Sequence, residues 1–279
     1  MQIVHGRRTL ACLLLASLWL GACAPSYRKD EVVQAIQQIC QDEYHLDVTA
    51  RLVGEPLAIQ LNYDGILVAS GNHVELAPTA NEVLGNVIET VHRVLLSTDG
   101  NVHFYLVLAS DPKVPGIAFT LVRYLDDVRR ANANMLTPTE FYSRTIFDLH
   151  YVGSPTMSLD QLVPSGIQME QFLSWQLAKR IQTRLSETLQ KRGVPMDDAV
   201  RCAGEFQNGE FVFTLSLEPK ADQQQIDPEL LQQIFQDAAA VIAQVLSGYR
   251  FEKFDTIRLT HPPTGRSLLL PKTRLELLK

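Results

Sequence analysis

The chain has 279 residues, with 25 Lys and Arg against 31 Asp and Glu, a formal net charge of −6 and a mean hydropathy of −0.01. This length accommodates two modest domains or one large one. The acidic balance, without blocks of like charge, argues against a nucleic-acid-binding protein and against a body that adheres to anionic lipid head groups, since both need a basic surface.

The first element is a short apolar segment with a basic start. Arg7 and Arg8 precede the apolar run Leu10–Leu20, and no acidic residue occurs before it. About 20 apolar residues are needed to cross a bilayer as a helix, so this run is too short for a membrane span. A basic start, a short apolar run and small residues after it are typical of a secretory signal peptide.

A cysteine follows this run directly. The sequence Leu20-Gly21-Ala22-Cys23 resembles the lipobox of bacterial lipoproteins, in which an aliphatic residue and two small residues precede the modified cysteine. The resemblance implies a signal peptide over residues 1–22, a diacylglyceryl thioether on Cys23 and acylation, for example with palmitate, of the new amino terminus. The alternative is a cysteine that merely follows a signal peptide.

The resemblance also implies where the protein lies. Two or three acyl chains anchor a protein stably, because each buried CH₂ contributes about 0.8 kcal/mol. An Asp just after the cysteine tends to retain such lipoproteins in the inner membrane. Ala24 occupies that place here, which favours the outer membrane of the cell envelope.

The first half of the body shows a regular order of signals. Apolar residues at helical spacing predict a helix within 28–41, and alternating residues over 48–61 predict a hairpin. Thr79 and Glu82 form the pattern of a capping box that begins a second helix. The stretch after Asp99-Gly100 predicts a strand, an Asp-Pro-rich turn and a strand.

The second half repeats this order. Leucines and an isoleucine every four residues predict a helix over 173–189, and Asn208-Gly209 predicts a type I′ hairpin. Asp227-Pro228 marks the start of another helix, because proline is tolerated in the first turn. The stretch from Phe254 predicts a strand, a Pro-Gly turn and a strand.

These patterns predict an α+β fold class made by internal duplication. Each half would be a helix-strand-strand-helix-strand-strand unit, folded as a two-layer α/β sandwich. The domain boundaries place a lipidated tether at 23–27, a first unit with a helical extension at 28–150, a linker at 151–169 and a second unit at 170–279. The extension contains two short helices, near 125–134 and after Thr137.

Catalytic patterns are missing from the sequence. It contains neither the G-x-S-x-G elbow of serine hydrolases nor a glycine-rich nucleotide-binding motif, and the six histidines after Cys23 lack the spacing of a zinc site. Asp126-Asp127 are neighbours whose side chains would point apart, so we interpret them as a solvated pair. No catalytic, cofactor-binding or metal-binding residue is assigned, and no cofactor is expected.

The two proline-rich turns at 111–116 and 261–266 occupy equivalent places in the two halves. Turn geometry accounts for their prolines and glycines, whereas a ligand-binding role is the alternative. Cys40 and Cys202 remain in the body, where they are either small buried residues or a disulfide pair.

Trp175 is the candidate contact for a partner. It lies two residues after Leu173, about 200° round the predicted helix, and so cannot share the face of the leucine stripe. It either packs against another part of the chain or is exposed. An exposed tryptophan would be the best hot spot in the chain, because tryptophan dominates interface energetics.

Two functions remain open. The first is a membrane-anchored, non-enzymatic envelope lipoprotein that binds a protein partner or takes part in assembly; its contacts would be the lipid bilayer through Cys23 and an envelope protein, with no nucleic acid. The alternative is an envelope hydrolase or small-ligand-binding protein whose site lies between the two units.

Overall fold

The structure is a computed structural model that describes residues 27–71, 73–151, 166–192, 200–217, 227–275 and 277. The described residues form seven helices and eleven strands, and the strands make three sheets. The α+β fold class is therefore confirmed. The predicted signal peptide and Cys23 lie outside the described residues. No helix in the described part combines the length and apolar character that crossing a bilayer requires.

The first half contains the two predicted helices and four predicted strands. In chain order, these are α1 (Val32–Tyr44), β1 (Val48–Leu52), β2 (Leu57–Asn62), α2 (Ala80–Leu96), β5 (Phe104–Ser110) and β6 (Ile117–Tyr124). A short hairpin of β3 (Leu67–Ser70) and β4 (His73–Leu76), which the sequence pattern did not predict, lies between β2 and α2 along the chain.

Three further elements follow β6. The predicted short helices are α3 (Leu125–Asn132) and α4 (Pro138–Arg144), and a strand that was not predicted, β7 (Ile146–Tyr151), comes after them. The five-stranded sheet has the order β1-β2-β5-β6-β7. Its central strand β5 is buried on both faces from Phe104 to Ala109.

The second half repeats the first without the extra hairpin. Its elements are α5 (Met169–Lys191), β8 (Val200–Gln207), β9 (Glu210–Leu217), α6 (Pro228–Tyr249), β10 (Thr256–His261) and β11 (Arg266–Pro271), followed by the short α7 (Lys272–Leu275). They form a four-stranded sheet in the order β11-β10-β9-β8.

The two sheets share one topology, as the repeated order of predicted helices and strands implies. In each, the first two strands are antiparallel and the second strand pairs in parallel with the third, as in β2 with β5 and β9 with β10. A parallel pair needs a crossover connection, and α2 and α6 supply it. The order β1-β2-β5-β6 therefore corresponds to β8-β9-β10-β11.

The sheet of the second half has one buried face and one more exposed face. Along β9, buried residues alternate with half-buried ones, and Phe211, Phe213 and Leu215 are all fully buried. Three of the four β9 residues on the opposite face, Glu210, Thr214 and Ser216, are polar, and Glu210 forms an ion pair with Arg258 at 3.1 Å. The helices thus cover one face of this sheet, as the alternation predicted.

Most of the predicted local signals have the expected geometry. Asn208 and Gly209 have φ values of 51° and 80°, as a type I′ turn requires. The Thr137 hydroxyl accepts the N–H of Glu140 at 3.1 Å, and the Asp227 carboxylate accepts that of Glu229 at 3.0 Å. The prediction of a capping box at Thr79 is wrong. The Thr79 hydroxyl makes no capping hydrogen bond to the helix and instead donates to the Gly65 carbonyl.

The chain divides into two compact units with boundaries that differ from the sequence-based ones. The first unit comprises Met1–Phe119 and Leu149–Val163, and the second comprises Thr120–Asp148 and Pro164–Lys279. Residues 1–26, 72 and 152–165 lie outside the described part. The helical extension, α3 with α4, therefore belongs to the second unit, whereas the sequence pattern places it with the first.

Gly204 permits the close approach of α5 to β8. A Cβ at this position would lie 2.4 Å from the Ser174 carbonyl oxygen and 2.8 Å from the Phe213 ring. We expect Gly204→Ala to lower the free energy of unfolding by about 1–3 kcal/mol, because overpacking forces the helix away from the sheet. Urea unfolding measures the loss. Ala203→Ser, on the exposed neighbour, is the control and should change the free energy by less than about 0.5 kcal/mol.

Candidate functional site

The second unit contains a groove of about 610 Å³. Its first wall is the end of α4 and the start of β7, its second is one side of α5, and its third is one side of α6. The lining residues are Tyr142, Ser143, Thr145, Ile146, Phe147, Gln176, Lys179, Arg180, Thr183, Arg184, Glu187, Asp237, Ala240, Val241 and Gln244. We call this recess the α5–α6 groove.

The apolar part of the groove is an aromatic ledge. The rings of Tyr142 and Phe147 lie 4.8 Å apart between centroids, with planes tilted by 32°. Tyr142 is 65% exposed, which is unusual for a large aromatic side chain that packs against another. Val241 and Ala240 of α6 line the same groove. The ledge gives an entering ligand an apolar surface to cover.

The polar part of the groove is cationic and comes from α5. Lys179 forms an ion pair with Asp148 at 3.0 Å, and Arg180 donates to the Ser143 hydroxyl at 3.1 Å. Burial lowers the pKa of Arg180 from its ordinary value, yet arginine keeps its proton at any physiological pH. Together with Arg184, these side chains favour a ligand that carries an anionic or acceptor group.

Beneath the groove lies a buried polar network. Arg144 is 4% exposed and Asp127 is 3% exposed, and their side chains form an ion pair at 2.8 Å. The second oxygen of Asp127 accepts the Tyr249 hydroxyl proton at 2.7 Å. Gln176 Nε2 contacts the same hydroxyl at 2.9 Å and donates to the Arg144 carbonyl. Four helices, α3 to α6, therefore contribute to one cluster.

The pKa values in this network follow from burial and from the central ion pair. Burial raises the pKa of Asp127, while the Tyr249 hydroxyl and the Arg144 charge oppose that rise. Burial acting on Arg144 alone would lower its pKa, but the negative charge of Asp127 raises it above the ordinary value. Burial and the charge of Asp127 both raise the pKa of Tyr249, so its hydroxyl keeps its proton and donates.

One group of this cluster is left without a partner. Gln176 is 1% exposed, and its Oε1 makes no hydrogen bond with the described residues although its Nε2 makes two. A buried acceptor without a donor costs about 1–3 kcal/mol. Gln176 also lines the α5–α6 groove.

The groove is lined by several kinds of polar side chain. Neither histidine nor cysteine occurs among its lining residues, and the described residues contain no cluster of His, Cys, Asp and Glu that could hold a metal ion. The carboxylate of Asp237 is hydrogen-bonded to Gln233 at 2.9 Å. The lining therefore offers cations, amides, hydroxyls, carboxylates and aromatic rings to a ligand.

The interpretation of Asp126-Asp127 as a solvated pair is wrong for Asp127. Its carboxylate is buried, because Arg144, Tyr249 and the more distant Arg130 at 3.9 Å replace its hydration. Sequence reasoning also missed Gln176. Arg144 lies 17 positions from Asp127 along the chain and Tyr249 lies 122 positions from it, so no local pattern connects the three residues.

Trp175 lies on α5, within the second unit, and is partly buried. Its exposure is therefore intermediate between the two alternatives that the sequence left open, and its role as a partner contact stays a prediction. The proposed lipidation site, Cys23, lies outside the described residues.

Cys40 and Cys202 are free thiols, which answers the question of their pairing. Burial raises the pKa of Cys40, and it raises the pKa of Cys202 to about 12. Both thiols therefore stay protonated near neutral pH. Because the thiolate is the reactive form of cysteine, neither is an activated nucleophile.

The first of the two proline-rich turns is structural. The Asp111 carboxylate is 2% exposed and accepts the backbone N–H groups of Gly65, Leu67 and Lys113 at 2.9, 3.0 and 2.8 Å. Although burial alone would raise its pKa, these N–H groups lower it. The carboxylate thus fixes the β3–β4 hairpin against the turn.

In the second turn, His261 is 1% exposed, and its Nδ1 contacts the Thr264 hydroxyl at 2.9 Å. Burial lowers the pKa of this histidine. The neutral ring is therefore the form that the fold accommodates, and its buried Nε2 has no hydrogen-bond partner among the described residues.

Comparison with known proteins adds no assignment, because no family model and no curated protein matches this chain.

The buried network gives a test of its own. We expect Arg144→Met to lower the free energy of unfolding by about 3–5 kcal/mol, because the buried Asp127 carboxylate loses its counter-charge. Denaturant unfolding measures the change. Arg130→Met is the control, since this partly exposed arginine is 3.9 Å from the same carboxylate and should cost at most about 1 kcal/mol.

The double variant Asp127→Asn/Arg144→Met distinguishes the free-energy cost of an unpaired buried charge from the cost of lost packing. It should recover part of the loss, because no buried charge remains without a counter-charge. A double variant less stable than Arg144→Met would contradict this account.

Proposed function

We propose that this protein is a lipid-anchored lipoprotein of the bacterial cell envelope that acts as a non-enzymatic binding module. The observation that carries the anchor is the sequence Leu20-Gly21-Ala22-Cys23 at the end of a short apolar run. The resemblance to the lipobox implies that Cys23 carries the acyl chains. Ala24 favours the outer membrane.

The position of the folded body supports a role close to the membrane. The backbone N–H of Tyr27, four residues after Cys23, donates to the Ser97 carbonyl of the first unit at 3.2 Å. Four residues span at most about 14 Å. An anchored Cys23 would therefore hold the first unit against the bilayer surface.

The α5–α6 groove supports binding as the activity of the body. Its volume lies within the range of about 300–1,000 Å³ that is usual for ligand sites, and it combines an apolar ledge with a few polar groups. The described residues around it provide cations and an unpaired acceptor but no nucleophile–base pair. This chemistry favours recognition of a partner over hydrolysis.

A specific observation favours a small ligand as a second candidate. Gln176, whose buried Oε1 has no partner among the described residues, and Arg180 both line the groove. A small molecule that carries both an N–H or O–H group and a carboxylate would satisfy the two. Native mass spectrometry of the protein purified from its own membrane would detect such a ligand, and Arg180→Met should release it. A wild-type mass equal to that of the acylated protein alone would remove this candidate.

The anchor is tested by Cys23→Ser. Serine cannot accept the diacylglyceryl thioether, so we expect the variant to remain an uncleaved precursor or a soluble form rather than a membrane-anchored mature protein. Membrane fractionation and intact-mass measurement check this. Cys12→Ser is the control, because this cysteine lies within the apolar run and its replacement should leave anchoring unchanged. A Cys23→Ser variant that is cleaved and sediments like the wild type would disprove the lipobox assignment.

The partner contact is tested by Trp175→Ala. If the partly buried Trp175 contributes to a protein interface, we expect copurification of the partner from detergent-solubilised membranes to fall at least about tenfold, as is typical of a hot spot. The melting temperature should change little. Phe172→Ala is the matched control on the same helix, because Phe172 is fully buried and its loss should destabilise the fold instead. A large drop in melting temperature for Trp175→Ala would assign the ring to the core.

A further inference from the structure

The sheet of the second unit ends at β11, which pairs with β10 on one side. On its other side, β11 has no neighbouring strand in the described part of the chain. An edge strand presents unpaired backbone N–H and C=O groups, and these groups form a template for a further strand.

The register identifies which backbone groups point outward. Leu268 pairs with Leu259 and Leu270 with Ile257, and the N–H of Lys272 donates to the Asp255 carbonyl at 3.0 Å in the same register. In an antiparallel pair, backbone groups alternate between facing the partner and facing away. The outward groups therefore belong to Ser267, Leu269 and Pro271. Proline at an outward position removes no hydrogen bond from the existing sheet.

A groove of about 490 Å³ lies beside this edge, between β11 and α6. Leu231, Phe235 and Ala239 of α6 line it together with Leu268 and Leu270 of β11. Leu268 and Leu270 lie on the helix-covered side of the sheet, because their partners Leu259 and Ile257 are fully buried. Every second side chain of a strand added beside β11 would enter this groove.

The duplicated half of the chain shows the same position filled. By topology, β6 in the first sheet corresponds to β11 in the second, and β7 lies beside β6 as a fifth strand. The fold therefore accepts a strand beyond this edge. The second sheet has four strands in the described residues, where the first has five.

The charges at the edge indicate the chemistry of a segment that could pair with β11. Arg266 and Arg274 line the groove and Lys272 follows β11, in a chain whose net charge is −6. Arg266 donates to the Pro228 carbonyl at 3.2 Å, and Lys272 Nζ donates to the Glu252 carbonyl at 2.8 Å and lies 4.0 Å from the Glu252 carboxylate. This basic edge is complementary to an acidic segment.

The same charges disfavour a second copy of this chain as the occupant. If two β11 strands paired antiparallel with Leu269 opposite Leu269, Arg266 of each copy would face Lys272 of the other. Like charges directly opposite each other destabilise a strand pair. Basic residues on an edge strand are a common device against self-association.

We propose that the β11 edge binds an extended segment of a partner protein as a fifth strand. Alternate apolar side chains of that segment fill the groove under α6, and acidic side chains contact Arg266 and Arg274. The inference names a partner chemistry for the binding function proposed above, on which it rests. It depends neither on the lipid anchor nor on the α5–α6 groove.

The test uses the full chain in detergent and a fluorescent peptide of about ten residues that alternates valine and glutamate, a length that covers one strand. We expect saturable binding by fluorescence anisotropy. A peptide with lysine in place of glutamate is the control and should bind at least about tenfold more weakly, because its charges face arginine. Arg274→Glu should weaken binding of the glutamate peptide and strengthen that of the lysine peptide.

The matched variants are Leu269→Pro and Leu269→Ala. Proline removes one outward N–H without touching the bonds to β10, and should weaken peptide binding about tenfold relative to alanine at the same position. Hydrogen exchange in the wild type provides a measurement that does not depend on any variant. The amides of Ser267 and Leu269 should become protected when the peptide is added, whereas those of Leu268 and Leu270 should be protected before and after.

Three results would overturn the proposal. The Leu269 amide could be protected without peptide in a monomer, which would assign the edge to another segment of this chain. A dimer in sedimentation with that amide protected would assign the edge to a second copy. Unchanged exchange at Leu269 in the presence of the glutamate peptide would exclude strand addition. Each of these results leaves the anchor and Trp175 tests unaffected, so failure here is distinguishable from failure of the proposed function.

Discussion

The second unit depends on a buried guanidinium and the carboxylate that neutralises it. Arg144 ends α4 with its side chain 4% exposed, and Asp127 of α3 supplies the counter-charge at 2.8 Å. An isolated charge at this depth would be costly, because desolvation takes away its hydration. Glu140 at 2.6 Å and the ring of Tyr249, whose centroid lies 4.4 Å from the guanidinium carbon, complete the surroundings of Arg144.

This cluster has a consequence for the α5–α6 groove. The Arg144 carbonyl and the Tyr249 hydroxyl both engage Nε2 of Gln176, which fixes the amide so that its Oε1 is left over. The network therefore fixes the orientation of a side chain that lines the groove, and at the same time it connects the helical extension to α5 and α6. A substitution in the network would change folding as well as any binding at the groove, so its effect should be interpreted with a measurement of folding beside it.

Much of the fold could be predicted from local patterns. Helices α2, α5 and α6 have continuous apolar stripes, and Asn208-Gly209 specifies its turn through positive φ values. The repeated topology was predictable because the order of these signals repeats. The β3–β4 hairpin was not predictable, since its strands Leu67–Ser70 and His73–Leu76 have only four residues each and the Asp111 carboxylate, more than 40 positions away, holds it. The strand β7 was missed because it follows the end of α4 almost directly, without a turn signal between them.

The candidate sites were largely beyond sequence reasoning. A solvated Asp126-Asp127 pair is the ordinary reading of adjacent carboxylates, and only the tertiary position of Arg144 makes Asp127 a buried group. Gln176 has no signature on a helix, where glutamine is common and usually exposed. By contrast, the absence of catalytic motifs was evident from the sequence, because such motifs have fixed local spacing.

The helix α6 relates the two recesses of the second unit. Its buried stripe includes Ile234, Ala238 and Ile242. On one side of this stripe, Asp237 and Val241 line the α5–α6 groove, and on the other side Phe235 and Ala239 line the groove beside β11. An advance of about 100° per residue places these two sets on opposite flanks of one helix.

Each recess also brings arginine into a chain that is acidic overall: Arg180 and Arg184 on one flank, Arg266 and Arg274 on the other. An acidic partner would be repelled by most of such a surface and accepted where these cations are concentrated. Charge complementarity of this kind contributes more to specificity and to the rate of association than to affinity. The apolar walls of the two grooves would then supply most of the binding energy, while the arginines select which segments enter.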